Sequence, residues 1–150
     1  MKKPVLLLFA FLMLASCTTQ KPFDGFYHQH KKHVKLAIAV PKYIANIFVP
    51  KDEKSTVNKF TKGLKRVKLL IDEDEKTELA DDFDRFVKSG NYDPYIYYNS
   101  EGEKIQLLVN ETDELIREVV FRAQSEEMTV IMALQGKMKK DRFEGILEDH

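Results

Sequence analysis

Ten residues without a polar side chain, Val5 to Leu14, follow a positive pair at Lys2 and Lys3, and the chain's single cysteine, Cys17, stands three positions beyond them. A membrane-crossing helix needs about 20 apolar residues to cover roughly 30 Å of hydrocarbon, whereas the apolar part of a secretory leader needs about 7–15. The run therefore reads as a targeting segment and not as a span. With one cysteine no intramolecular disulfide can form, so whatever folds after the leader must be held by its core. The chain has 150 residues, 43% hydrophobic and 32% charged with six Gly and five Pro, which points to one globular domain and away from disorder or a multi-span membrane protein.

Leu14, Ala15, Ser16 and Cys17 resemble a bacterial lipobox, in which small residues precede an obligatory cysteine. That resemblance implies cleavage between Ser16 and Cys17, with Cys17 carrying the acyl chains that anchor the protein to a membrane. At about 0.8 kcal/mol per buried methylene, one chain anchors marginally and several anchor durably. The expected organisation is a signal peptide over 1–16, a lipidated tether over 17–22 and a single domain over 23–150. Taking Lys2 and Lys3 from the 24 basic side chains leaves 22 against 24 acidic ones, a net charge of about −2, which gives no electrostatic case for nucleic acid.

Along the domain, Phe23, Phe26 and Tyr27 suggest a short helix. Val34, Leu36, Ile38 and Val40 alternate as a strand that Pro41 ends, and Tyr43, Ile44, Ile47 and Phe48 suggest a helix before Pro50. Val57, Phe60 and Leu64 share a helical face, with Gly63 near its C-terminal stop. Val67, Leu69 and Ile71 alternate as a strand. The acids from Asp72 to Glu75 then suit a helix start, and Leu79, Phe83, Phe86 and Val87 fall on one face of an amphipathic helix ended by Gly90 and Asn91. Tyr95–Tyr98 and Ile105–Val109 flank a polar, glycine-containing turn. Two more strands follow, with Leu115, Val119, Phe121 and Ala123 on one face of the first and Met128, Val130, Met132 and Leu134 on one face of the second. Arg142, Phe143, Ile146 and Leu147 suggest a closing helix. The expected fold is α+β: a mostly antiparallel sheet of about five or six strands, helices packed on one face, a C-terminal four-strand meander and a short closing helix.

The leader and lipobox, the aromatics from Phe23 to Tyr27, the stretch from Leu36 through Val40-Pro41 to Phe48, the segment Val67 to Ile71, and Gly90-Asn91-Tyr92 followed by strands and Gln135-Gly136-Lys137 together resemble a family of envelope lipoproteins. It is found chiefly in Bacteroidetes and is known as domain of unknown function 4252. The resemblance implies a small lipid-anchored α+β protein with a link to envelope signalling, and it supplies no catalytic residue. In such bacteria an acidic stretch after the lipidated cysteine accompanies export to the surface. Thr18 to Pro22 contain no acid, which implies an outer-membrane anchor facing the periplasm.

The chemistry-bearing residues give little purchase for catalysis. His28, His30 and His33 invite a metal, yet on a helix only His30 and His33 share a face, and with Lys31, Lys32 and Lys35 they read as a solvated basic segment. Counting a calcium loop from Asp72 puts Lys76, Thr77 and Phe83 where an oxygen ligand, glycine and glutamate belong, so the template fails. Asp81, Asp82 and Asp84 read as surface acids, and Lys59, Lys62, Lys65, Arg66 and Lys68 as a solvated face with a lesser claim on anionic lipids. No nucleophile elbow, phosphate loop or zinc-helix motif occurs, so neither an enzyme nor a cofactor is expected. Tyr92, Tyr95, Tyr97 and Tyr98 are dense for a small sheet. Alternation puts Tyr95 and Tyr97 on one face, and this tyrosine-bearing hairpin or the sheet face is the expected surface for an envelope protein partner. The rival expectation is a small-ligand carrier or enzyme with a cleft between sheet and helices.

Overall fold

The structure, a computed structural model, describes residues 22–45, 62–73 and 78–148. It contains helix α1 (Pro22–His30), strand β1 (Leu36–Pro41), a single helical turn α2 (Lys42–Ala45), β2 (Leu64–Asp72), helix α3 (Leu79–Ser89), strands β3 (Asp93–Ser100), β4 (Glu103–Glu111), β5 (Leu115–Gln124) and β6 (Thr129–Lys139), and a closing helix α4 (Lys140–Glu148). The six strands form one antiparallel sheet in the order β1-β2-β6-β5-β4-β3, so the expected α+β class and four-strand meander are present. The leader, Cys17 and the apolar positions Ile47, Phe48, Val57 and Phe60 lie outside the described residues.

Local chemistry accounts for these elements. Pro41 is accommodated because β1 is an edge strand, where a missing ladder donor can face outward. Glu101 (φ 49°) and Gly102 (φ 82°) make the two-residue turn between β3 and β4, and positive φ at both central positions is the geometry that suits the twist of a tight hairpin. At the end of α3, the Gly90 N–H donates to the carbonyls of Phe86 (3.1 Å) and Val87 (3.3 Å).

Helices α1 and α3 lie on one face of the sheet. Phe23, Phe26 and Tyr27 from α1 and Leu79 and Phe83 from α3 pack on Leu70, Leu108, Val120, Ile131 and Ala133. Ring centroids of Phe26 stand 5.7 Å from Phe83 and 5.0 Å from Phe86, within the range where aromatic pairs add to simple burial. A second, smaller cluster on the opposite face joins Phe143 of α4 to Val109, Ile116, Val119 and Met138.

On β2 and β6 the deeper parity is the one opposite to the apolar set that the sequence picks out. Along β2 from Val67 the buried residues are Lys68, Leu70 and Asp72, while Val67, Leu69 and Ile71 are half-buried; β6 buries Thr129, Ile131, Ala133 and Gln135, and β5 buries residues of both faces, Glu118, Val120 and Arg122 on one and Val119 on the other. Apolar-in, polar-out alternation fails here because α1 and α3 bring polar partners onto the covered face. Leu64 is a strand residue and not part of a helix. Gly63, with φ 94°, belongs to the turn into β2, and the two backbones come so close that a Cβ on Gly136 would stand 2.2 Å from the Gly63 carbonyl oxygen.

Gly136→Ala is therefore expected to lose about 1–3 kcal/mol, as overpacked positions do. Gly145→Ala, in α4 with open space around it, is expected to be neutral or stabilising by up to about 1 kcal/mol. Urea denaturation of the two variants measures both.

Candidate functional site

Beneath α1 and α3 the sheet carries charge. Lys68, buried on β2, reaches Asp24 of α1 and lies 4.9 Å from the centroid of the Tyr27 ring, while Gln135 Nε2 donates to the same Asp24 oxygen at 2.8 Å. Burial works to raise the Asp24 pKa. Hydrogen bonds from Lys68 and Gln135, with the positive charge of Lys68, outweigh it and hold the carboxyl below its ordinary value. Arg122, fully buried on β5, donates to Asp84 of α3 at 2.7 Å and to Gln106, and its guanidinium stands 4.9 Å over the Phe83 ring. Tyr92 follows α3 and sits 5.3 Å from Phe86, with its hydroxyl donating to Glu118 at 3.4 Å; burial first, and then that carboxyl, push its pKa well above the phenolic range.

A cavity of about 360 Å³ opens beside this layer, where α1 ends, β2 ends and α3 begins. Its walls carry His30 and His33, three acidic side chains (Asp72, Glu78 and Asp82), Gln29, and the apolar flank of Val34 and Leu79. His30 packs its ring 4.5 Å from Phe26 and places Nε2 3.3 Å from Asp82 Oδ2, without the alignment of a hydrogen bond. Burial pulls the His30 pKa down, the Asp82 charge works against that, and His33 adds to the fall. Asp82 also pairs with Arg85 through its other oxygen. Asp72 is 4% exposed, and its Oδ2 has no hydrogen-bond partner among the described residues. No set of three His, Cys, Asp or Glu side chains among them is gathered as a metal site.

The opposite face of the sheet is apolar from edge to edge. Beyond the part that α4 covers, Leu36 and Ile38 on β1 are 43% and 37% exposed, and Ile96 and Tyr98 on β3 are 46% and 50% exposed. Half-buried Leu69, Ile71, Val130, Met132, Phe121 and Ile105 lie between them. The sheet ends differ in charge, with exposed Glu101, Glu103, Glu126 and Glu127 at one and Lys62, Lys65, Lys137 and Lys139 at the other.

The structure separates the two tyrosines that alternation pairs. A bulge between Pro94 and Ile96 interrupts β3, and such an insertion re-aims the side chains beyond it. Tyr95 is half-buried with its ring 5.6 Å from Phe143 and its hydroxyl donating to Glu111 at 3.1 Å. Tyr97 is exposed and pairs in register with Gln106, on the helix-covered side, whereas Tyr98 joins the open face. Other polar residues also stand elsewhere than their sequence pattern suggests: Lys68 is buried and paired, Asp84 reaches Arg122 on the sheet, Asp82 meets His30 of α1, and Asp72 closes a strand instead of starting a helix. His28 is exposed and apart from the cavity that His30 and His33 line. No helix among the described residues is long and apolar enough to cross a membrane.

In comparisons with known proteins, the family model described as domain of unknown function (DUF4252) matches residues 27–145. No curated protein and no solved structure matches.

The Asp24 pairing yields a pH signature. A carboxyl held below its ordinary value of 3.8 contributes stability that is complete above that pH and is lost as pH falls through the lower folded value. Asp24→Asn is expected to lose about 1.5–3 kcal/mol at neutral pH, the range for hydrogen bonds to charged groups, and to show a shallower fall below pH 3.8. Urea midpoints of both proteins across an acid series measure this.

Proposed function

The chain belongs to the DUF4252 family, and from that premise we propose that it is a lipid-anchored, non-enzymatic binding module of the bacterial cell envelope, holding a partner protein against the open face of its sheet. The observation that carries this reading is the apolar surface running from Leu36 and Ile38 on one edge strand to Ile96 and Tyr98 on the other. Six strands about 4.8 Å apart, open over about six residues at roughly 3.3 Å each, make a patch of roughly 500 Å² in plan. Patches of that scale mark interaction sites, and single exposed apolar residues do not.

The partner's chemistry follows from the surface. It presents a flat apolar face, with basic groups opposite the glutamates at one end of the sheet and acidic groups opposite the lysines at the other. Leu14 to Cys17 support anchoring through Cys17, and the acid-free tether supports an outer-membrane position facing the periplasm.

In-cell crosslinking and capture of the full chain tests the reading against two variants. One stoichiometric envelope protein is expected with the native chain and is expected to be lost with Ile38→Glu/Ile96→Glu while the melting temperature is kept. Equal capture by that double variant overturns the face as the binding surface. A concentration-dependent dimer in sedimentation, abolished by the same substitutions, assigns the face to a second copy instead. Cys17→Ser is expected to leave the membrane fraction, and a mature-sized Cys17→Ser protein that stays there overturns the anchor.

A further inference from the structure

The cavity on the other side of the sheet carries an inference independent of the partner surface. Asp72 is the last residue of β2, paired in the ladder opposite Thr129, which directs its side chain to the helix-covered face. Asp72 lines the cavity, and its buried Oδ2 has no hydrogen-bond partner among the described residues. A buried acceptor left in that condition costs the folded state its lost hydration, and an exception of this kind calls for a missing donor.

The surroundings specify the charge of that donor. Among the described residues Asp72, Glu78 and Asp82 line the cavity and no lysine or arginine does, so their field favours a cation. The C-terminal end of α1, at Gln29 and His30, adds the negative end of a helix dipole. The N-terminal end of α3 faces the same space with the opposite sign, and there Glu78 and Asp82 supply the countercharge. His30, drawn toward its neutral form by burial, offers a ring nitrogen without a competing positive charge.

The geometry also limits the kind of cation. A bare metal ion needs several donors converging at about 2 Å, and the described residues gather no such set. An ammonium or guanidinium group satisfies separated acceptors through directed N–H bonds instead. A volume of about 360 Å³ sits at the small end of the ligand-site range, and the flank made by Val34 and Leu79 suits a short alkyl stem. We propose that this cavity binds a small organic cation, a primary ammonium or guanidinium on a short apolar stem, with the Asp72 carboxylate accepting from its N–H groups and Asp82 and Glu78 supplying the countercharge.

The test uses the full chain with 1,4-diaminobutane as probe, 1,4-butanediol as its neutral analogue and zinc chloride as a metal control, at constant ionic strength. Histidine-ring NMR resonances and calorimetry are the readouts. The diamine is expected to shift the His30 and His33 rings saturably at one site per chain, leave the His28 ring unmoved and be at least tenfold weaker with Asp72→Asn, while the diol does nothing. Should Asp72→Asn fail to fold, Glu78→Gln, exposed at the cavity rim, serves in its place with an expected two- to threefold loss. No saturable shift, an equal response to the diol, or undiminished affinity in the variant that folds overturns the proposal. So does a one-to-one zinc response at those rings without a diamine response. None of these results depends on the partner surface, which lies on the opposite face of the sheet.

Discussion

Two cations held out of water, Lys68 and Arg122, determine how this domain is assembled. Each stands on a central strand, and each finds its carboxyl partner on a helix: Asp24 on α1 for Lys68, Asp84 on α3 for Arg122. A buried charge without a partner costs several kcal/mol, so neither helix can slide by a turn without stranding one. The aromatic cluster of Phe23, Phe26, Phe83 and Phe86 supplies apolar burial but little direction, because rings tolerate displacement that a hydrogen bond does not. Gln135 and Gln106 add one hydrogen bond to each pair, Gln135 donating to Asp24 and Gln106 accepting from Arg122. Burial thus drives α1 and α3 onto the sheet, and the polar layer fixes where they come to rest.

At one end of the sheet this order is deliberately broken. Ladder irregularities between Leu64 and Arg66, Pro94 and Ile96, Asn110 and Glu111, and Ile116 and Glu118 gather where the strands approach α4. An extra residue strengthens the local twist and turns a side chain to a new direction. The result is visible at Tyr95, whose ring meets Phe143 edge-on, and at Glu111, which takes a hydrogen bond from Tyr95 and another from Lys140 at 2.5 Å. Close backbone approach at Gly63 and Gly136 belongs to the same region. The bulged end is covered by α4 and the regular end remains open, which is why the exposed apolar residues concentrate away from Phe143.

Much of the fold was legible in the sequence. Apolar patterning and turn signals located all six strands, and the spacing of Leu79, Phe83, Phe86 and Val87 located α3, because these signals are local and the structure leaves them intact. The deeper face of the strands was not legible. Val67, Leu69 and Ile71 are the more apolar set on β2, yet Lys68, Leu70 and Asp72 lie under the helices, and only knowledge of Asp24 over Lys68 reverses the assignment. Tyr95 and Tyr97 were parted by a bulge that leaves no mark in the side-chain pattern. Of the cavity, His30 and His33 were visible as a pair and Asp72 and Asp82 as acids; their convergence depends on where α1 ends relative to β2, a tertiary fact. A charged residue interrupting an apolar strand, as Lys68 and Arg122 do, was the one signal that could have pointed to the covered face.

The same rule that fixes the helices explains why the end of β2 differs from its middle. Along the covered side of that strand, Lys68 meets Asp24 and Leu70 meets the aromatic cluster, but Asp72 lies past the last turn of α1, beyond the reach of the groups that satisfy its neighbours. An unsatisfied buried acceptor costs about 1–3 kcal/mol, a sizeable share of the roughly 5–15 kcal/mol by which a domain is stable. An apolar residue at that strand position would avoid the cost and pack as Leu70 does. Retaining an acid there, with a cavity above it and two further acids around the rim, is intelligible if the missing hydrogen bond comes from outside the chain. The open sheet face presents the corresponding problem in apolar form: surface held ready by a rigid scaffold, with its complement supplied by another molecule.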